Sequence, residues 1–189
     1  MAHIEQINYV NKIKKTFPEF FRKKKVLGIG TFNVCGTEDQ FFDECDYKGL
    51  DLGSGPGVDI VCPAQEYNAP DCSYDVIISC ECFEHNPFYK ETIQNAVRIL
   101  KSNGLFLFTC ATTGRPAHGT RALEEESKKK FPNWKTMPNV IRENWNNDYY
   151  KNLTEIDIRE SINIDSTFSQ YEFEIEPNHC DLYFWGVKK

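Results

Sequence analysis

The chain reads as an α/β protein with a doubly wound, mostly parallel sheet and an antiparallel pair of strands at its C-terminal end. Three segments predict this. Val26 to Gly36, VLGIGTFNVCG, is a strand running into a glycine-bearing loop. Asp71 to Cys110 alternates strand, helix and strand, and Tyr171 to Lys189 reads as strand, Pro-Asn turn and strand.

Taken in order, Ile4, Ile7, Val10 and Ile13 recur at intervals of three within residues 1–22. They predict an amphipathic helix that stops before Pro18, because a residue preceding proline is pushed out of the helical region. Its expected place is over the sheet edge or the site. Two glycine segments then compete for one role. Leu50 to Gly57, LDLGSGPG, carries an acid followed by glycines, yet Gly57 leads straight into the strand-like VDIVC. A glycine loop that opens a ligand site must pass into a crossover helix, since parallel strands need a connection of roughly a dozen or more residues. The first segment leaves that room: TEDQFFDECDY has the composition of a short helix before the next strand, YKGLDL. Asp51 then ends the second strand, where a carboxylate about 20 residues beyond the glycine loop accepts hydrogen bonds from ribose hydroxyls. The competing reading is that Asp51 merely opens a Gly-rich turn.

Val76, Ile77 and Ile78 form the apolar run of a strand covered on both faces. Ile93, Ala96, Val97 and Leu100 mark the helix, Asn103-Gly104 its stop, and Leu105 to Phe108 the following strand. Asp75, Glu84-His85 and the turn Leu100-Lys101-Ser102-Asn103-Gly104 resemble the fourth strand, helix and fifth strand of class I S-adenosylmethionine-dependent methyltransferases, in particular small members of the type-11 group. GSGPGVDIVCPA is similar to the hairpin-like link that this subgroup carries after its second strand. The likeness covers about half the chain, roughly Lys24 to Arg121.

This resemblance implies a seven-stranded, Rossmann-like methyltransferase fold with S-adenosylmethionine as cofactor, formed by residues 1–189 as a single domain. It implies that Gly28 and Gly30 let the cofactor approach the backbone, that Asp51 holds the ribose, and that Leu52 packs on the adenine. Ala64 and Gln65 would border the adenine amino group, and Ser79 and Cys80 would lie under the methionine end. Three positions depart from the family pattern. Gly28 stands where an acidic residue usually precedes the first glycine, Phe32 where the second glycine falls, and Pro63 where an aspartate follows the third strand.

The 189 residues are 40% hydrophobic and carry a net charge of −6, a balance that argues against a general nucleic-acid surface. Residues 1–25 are locally basic, with Lys12, Lys14, Lys15 and Arg22 to Lys25, and read as a solvated helix face leading into a strand. Eight cysteines include no CxxC pair, so they are expected as reduced thiols and no metal site is predicted. No apolar run has the length of a membrane span or the form of a signal peptide, and the expected compartment is the cytoplasm.

Residues 111–150 lack a sustained period and are rich in Pro, Asn, Lys and aromatic residues. In the resembling enzymes this position holds a substrate lid, and Trp134, Trp145, Tyr149 and Tyr150 suit either a wall for a sugar or planar ring or anchors on the core. LTEIDIRESINI comes next as a helix with Thr154 as its cap. His85 and His118 are the candidate catalytic bases, because imidazole titrates near working pH, with Tyr149 a third choice. The function these features imply is methyl transfer from S-adenosylmethionine to an oxygen or nitrogen acceptor on a small molecule or glycan. Two alternatives stay open: a degenerate methyltransferase fold acting as a binding subunit, and a nicotinamide-dependent oxidoreductase, which GIGTFNVCG disfavours by lacking the GxGxxG spacing.

Overall fold

A computed structural model describes residues 3–33, 36–120 and 149–189, together with Leu123, Glu125 and Lys129. Seven strands share one sheet: β1 (Lys25–Ile29), β2 (Asp46–Asp51), β3 (Ile60–Val61), β4 (Tyr74–Cys80), β5 (Leu100–Ala111), β6 (Phe168–Glu176) and β7 (Asp181–Lys188). Their order is β3-β2-β1-β4-β5-β7-β6. The first five run parallel, and β7 joins β5 and β6 antiparallel. The chain leaves β1 for β2 and β3 on one side and returns to β4 on the other. Strand order therefore reverses between β1 and β4, and ligands of open α/β sheets bind outside the carboxyl ends at such a point.

Successive side chains of a strand face opposite ways, and the two faces build two cores. On one, Leu27, Ile29, Ile77, Phe106 and Phe108 pack with Ile93, Ala96 and Ile99 of α2 (Tyr89–Ile99) and with Ile158 of α3 (Glu155–Ser161). On the other, Val26, Val76, Ile78, Leu105 and Leu107 meet Tyr9, Val10 and Ile13 of α1 (Ile4–Thr16). Each fully buried side chain of this kind contributes about 1.5–3 kcal/mol by leaving water. Thr154 and Asp157 close a capping box at the start of α3, and a short α4 (Ile164–Thr167) leads into β6.

Several expectations need correction. The N-terminal helix does end before Pro18, at Thr16, but Pro18–Phe20 forms a separate 3-10 turn, so the helix fills only part of residues 1–22. The segment after the glycine loop makes only a 3-10 turn, Glu38–Phe41. The link after β2 is not hairpin-like, because β3 runs parallel to β2. Residues 52–59 manage this without a helix by doubling back: Gly49 N–H donates to Asp59 Oδ2 and Asp59 N–H to Gly49 O, both at 2.8 Å. Asn103-Gly104 does not stop α2, which ends at Ile99; β5 begins at once and Asn103 bends it in the left-handed region at φ 58°. Most of the expected lid, with Trp134 and Trp145, lies outside the described residues.

Candidate functional site

The loop after β1 is held by its neighbours rather than by a following helix. Gly30 N–H donates to Leu50 O at 2.9 Å, Thr31 Oγ1 to Gly57 O at 2.8 Å, and Asn33 N–H to Pro56 O at 2.9 Å. The two glycine segments that competed in the sequence thus pack on each other. Gly30 adopts φ +78°, and a Cβ there would lie 2.5 Å from Cys82 Sγ. Asp51 closes the loop: its Oδ2 accepts from Phe32 N–H at 2.9 Å and its Oδ1 from Leu52 N–H at 2.7 Å. Burial nevertheless pushes its pKa up. Each oxygen retains acceptor capacity for a further donor.

Gly28 has a packing neighbour instead of open space, since a Cβ would collide with the Tyr47 hydroxyl and Thr31. That hydroxyl lies 3.4 Å from Glu38 Oε2. Glu38 is buried, and desolvation lifts its pKa to about 7. A carboxyl group thus stands beside the place where Gly28 lacks one, delivered from the 3-10 turn. Ala64 and Gln65 sit on the turn Ala64–Glu66, which Asn95 Nδ2 pins through Ala64 O (2.7 Å) and Tyr67 O (3.0 Å). Gln65 Oε1 is buried without a hydrogen-bond partner. Ser79 Oγ donates to Ile29 O at 3.0 Å and ties β4 to β1. Cys80 is buried in the core on the α1 face.

Beyond β4 the chain turns sharply: Glu81 takes φ 53°, a strained region for a non-glycine residue and one often found at functional sites. The turn Phe83–His85 brings His85 against His118, ring centroids 5.0 Å apart, and Tyr150 closes on both at 5.4 and 5.0 Å. Desolvation, then the neighbouring His118, depress the His85 pKa to about 3, so this ring is neutral. His118 is also lowered, chiefly by burial. Its Nδ1 lies 3.1 Å from Pro116 O, which only accepts, so Nδ1 carries the proton and Nε2 is left as an acceptor. Both sequence-chosen imidazoles therefore share one place. Glu84 was read only as part of the Glu84-His85 pair, and sequence reasoning missed Glu81 and Asp181; the three carboxyl groups interact electrostatically with one another, and burial raises the pKa of each. Only the placement of their elements in the fold unites them, and the sequence carries no signal for that.

A family model described as a methyltransferase domain matches residues 1–153. The chain belongs to the methyltransferase-domain family. Solved structures with the same fold include 1,6-didemethyltoxoflavin-N1-methyltransferase from Burkholderia thailandensis, bound to 1,6-didemethyltoxoflavin and S-adenosylhomocysteine. It is 15% identical with a TM-score of 0.58, over 92% of this chain and 74% of that one. Phosphoethanolamine N-methyltransferase 2 from Haemonchus contortus, with phosphomonomethylethanolamine and S-adenosylhomocysteine, is 16% identical with a TM-score of 0.61. This alignment covers 96% of the present chain and only 53% of that one. The YcgJ protein of Bacillus subtilis is 12% identical with a TM-score of 0.57, over 95% and 97% of the two chains. No curated protein matches the sequence.

The methyl donor of this methyltransferase class is S-adenosylmethionine, and the residues at the carboxyl edge of the sheet suit its parts. The Asp51 carboxylate suits ribose hydroxyls, the positive φ of Gly30 suits a close backbone approach, and the orphaned Gln65 Oε1 suits an amino donor. All three stand on the carboxyl side of β1, β2 and β3. The residues fit.

Proposed function

We propose that the protein transfers a methyl group from S-adenosylmethionine to an oxygen or nitrogen acceptor on a small molecule or glycan. The observation that carries this reading is the trio of Gly30, Asp51 and Gln65 beside the point where strand order reverses, in a chain of the methyltransferase-domain family. Bound S-adenosylmethionine supplies an already reactive sulfonium methyl, so the protein's work is alignment and proton removal. Asp51 accepts from the ribose, Gln65 from the adenine amino group, Leu52 and Ala64 border the ring, and the backbones of Gly30, Ser79 and Cys80 line the floor.

His118 takes the acceptor's proton at Nε2, with Pro116 O fixing the tautomer. His85, held neutral by burial, forms the wall that orients it. Small acceptors suit the pair of tyrosines Tyr149 and Tyr150, and the neighbouring structures from Burkholderia thailandensis and Haemonchus contortus hold small molecules. The net charge of −6 speaks against nucleic acid. Among the described residues no helix is long and apolar enough to cross a membrane, and the seven described cysteines are free thiols, in keeping with a cytoplasmic setting.

Calorimetric titration of S-adenosylmethionine and S-adenosylhomocysteine into the intact chain tests the reading. Binding of both in mutual competition, followed by methyl transfer in an acceptor screen, is the expected result. Failure of both to bind would overturn it and leave a fold that serves as a binding subunit.

A further inference from the structure

The order of the strands gives the cofactor a direction along the carboxyl edge of the sheet. Gln65 follows β3, Asp51 ends β2 and Gly30 follows β1, while β4 lies on the far side of β1. A molecule whose adenine meets Gln65 and whose ribose meets Asp51 carries its remaining part past Gly30, towards the ends of β1 and β4. In S-adenosylmethionine that part is the methionine, which ends in an ammonium and a carboxylate group.

A buried carboxyl group stands at that place. Glu38 is 2% exposed and comes from the 3-10 turn Glu38–Phe41 between β1 and β2. Tyr47 of β2 donates its hydroxyl to Glu38 Oε2 at 3.4 Å, and the same hydroxyl fills the space that a side chain on Gly28 of β1 would need. From the end of β4, Cys80 and Cys82 both sense the Glu38 charge. Cys82 also senses Asp51, and its Sγ would lie 2.5 Å from a Cβ on Gly30. Cys82, packed against Gly30, is therefore within electrostatic reach of both carboxyl groups, Asp51 on the ribose side and Glu38 beyond it. Burial raises the Glu38 pKa to about 7, against the lowering influence of the chain's α-amino group, the backbone of its own turn, the Tyr47 hydroxyl and the Cys80 thiol. Burial also holds Tyr47 and Cys80 neutral, and no Lys, Arg or His of the described residues acts on Glu38. A nearby positive charge favours the ionised form of such a carboxyl, whereas a second carboxylate is repelled.

We infer that Glu38 binds the ammonium group at the methionine end of the cofactor and gives up its own proton to solvent as it does so. The inference rests on the placement of the cofactor along Gln65, Asp51 and Gly30 proposed above. Tyr47 is a positioning residue in this arrangement: its hydroxyl holds Glu38 Oε2 and reaches it through the space that Gly28 leaves open. The ammonium then pairs with a carboxylate in a place where water is excluded, and such charge-assisted hydrogen bonds are roughly twice as strong as neutral ones.

The test is calorimetric titration of the full chain with two probes that share adenine and ribose. S-adenosylhomocysteine carries the ammonium group, and 5′-methylthioadenosine ends at the thioether methyl. Glu38→Gln keeps the size of the side chain and removes its charge. It should weaken S-adenosylhomocysteine by at least about tenfold, the lower end for hydrogen bonds to a charged group, and leave methylthioadenosine unchanged. Asp51→Ala should weaken both. Titration at pH 7 in phosphate and in Tris, which differ in ionisation enthalpy, counts protons. About half a proton should leave when S-adenosylhomocysteine binds, since a carboxyl of pKa about 7 is half protonated there, and none when methylthioadenosine binds. This count needs no variant, so it decides the matter if Glu38→Gln does not fold. Equal weakening of both probes in Glu38→Gln, unchanged affinity for S-adenosylhomocysteine, or proton release that persists in the variant would overturn the inference and leave the cofactor placement standing. Failure of both probes to bind the parent chain would overturn the placement, and the role of Glu38 with it.

Discussion

Asp51 joins two jobs in one carboxylate. It receives the backbone N–H groups of Phe32 and Leu52, which fixes the loop after β1, and it presents remaining lone pairs at the carboxyl edge of the sheet. Asp51→Ala should weaken S-adenosylhomocysteine binding by about 1.5–3 kcal/mol, the range for hydrogen bonds to a charged group. An unchanged dissociation constant by calorimetry would remove Asp51 from the site. Glu38 makes a different prediction. Its pKa in the folded chain, about 7, lies above its ordinary value of 4.5, so its contribution to stability is full below 4.5 and is lost as pH rises through 7. Glu38→Gln should therefore raise the melting temperature at pH 8 more than at pH 5, and equal shifts at both would mean that burial does not raise the Glu38 pKa in the folded chain. The pKa direction comes from burial first, and no sequence pattern announced it: the segment from Thr37 reads only as a short helix before the next strand.

Among the elements, the link from β2 to β3 separates local from tertiary control most clearly. A strand ending at Asp51 and a Gly-Pro turn after it were both legible in the residues, but the direction of β3 was not. Gly49 and Gly57 touch so closely that the link can double back and set β3 parallel. A Cβ on Gly49 would strike the Gly57 carbonyl, which as backbone cannot swing aside. Gly49→Ala should cost about 1–3 kcal/mol, the usual range for overpacking, read as a lower urea midpoint. A midpoint equal to that of the parent chain would show that the link yields. At α3, the cap was legible in Thr154 as a cap residue, and the structure adds Asp157, which completes a capping box with it. Thr154→Ala should lose about 1 kcal/mol, measurable in the same urea series. The end of α2 was misplaced because Leu100 fits the helical period equally well as the first residue of β5.

For the entire chain, the candidate cofactor site is shared by β1, β2 and the turn after β3, so its occupant binds the folded chain and not the unfolded one. S-adenosylhomocysteine at a hundred times its dissociation constant should add about 2.7 kcal/mol, raising the melting temperature by roughly 5–10 °C. No rise would mean that the trio of Gly30, Asp51 and Gln65 does not assemble a site. The α/β class, the antiparallel final pair and the position of Asp51 at the end of β2 were all readable from the residues alone. They rest on local rules: strand and helix periods, glycine and proline punctuation, and a motif whose parts lie within one crossover. Which distant groups become neighbours was settled only when the chain folded. Glu38 reaches the gap at Gly28, and His3, Glu81 and Asp181 converge from three elements, because β7 inserts between β5 and β6 and α1 covers the sheet. Contacts of that kind depend on strand order and on burial, and neither is written in the spacing of residues along the chain.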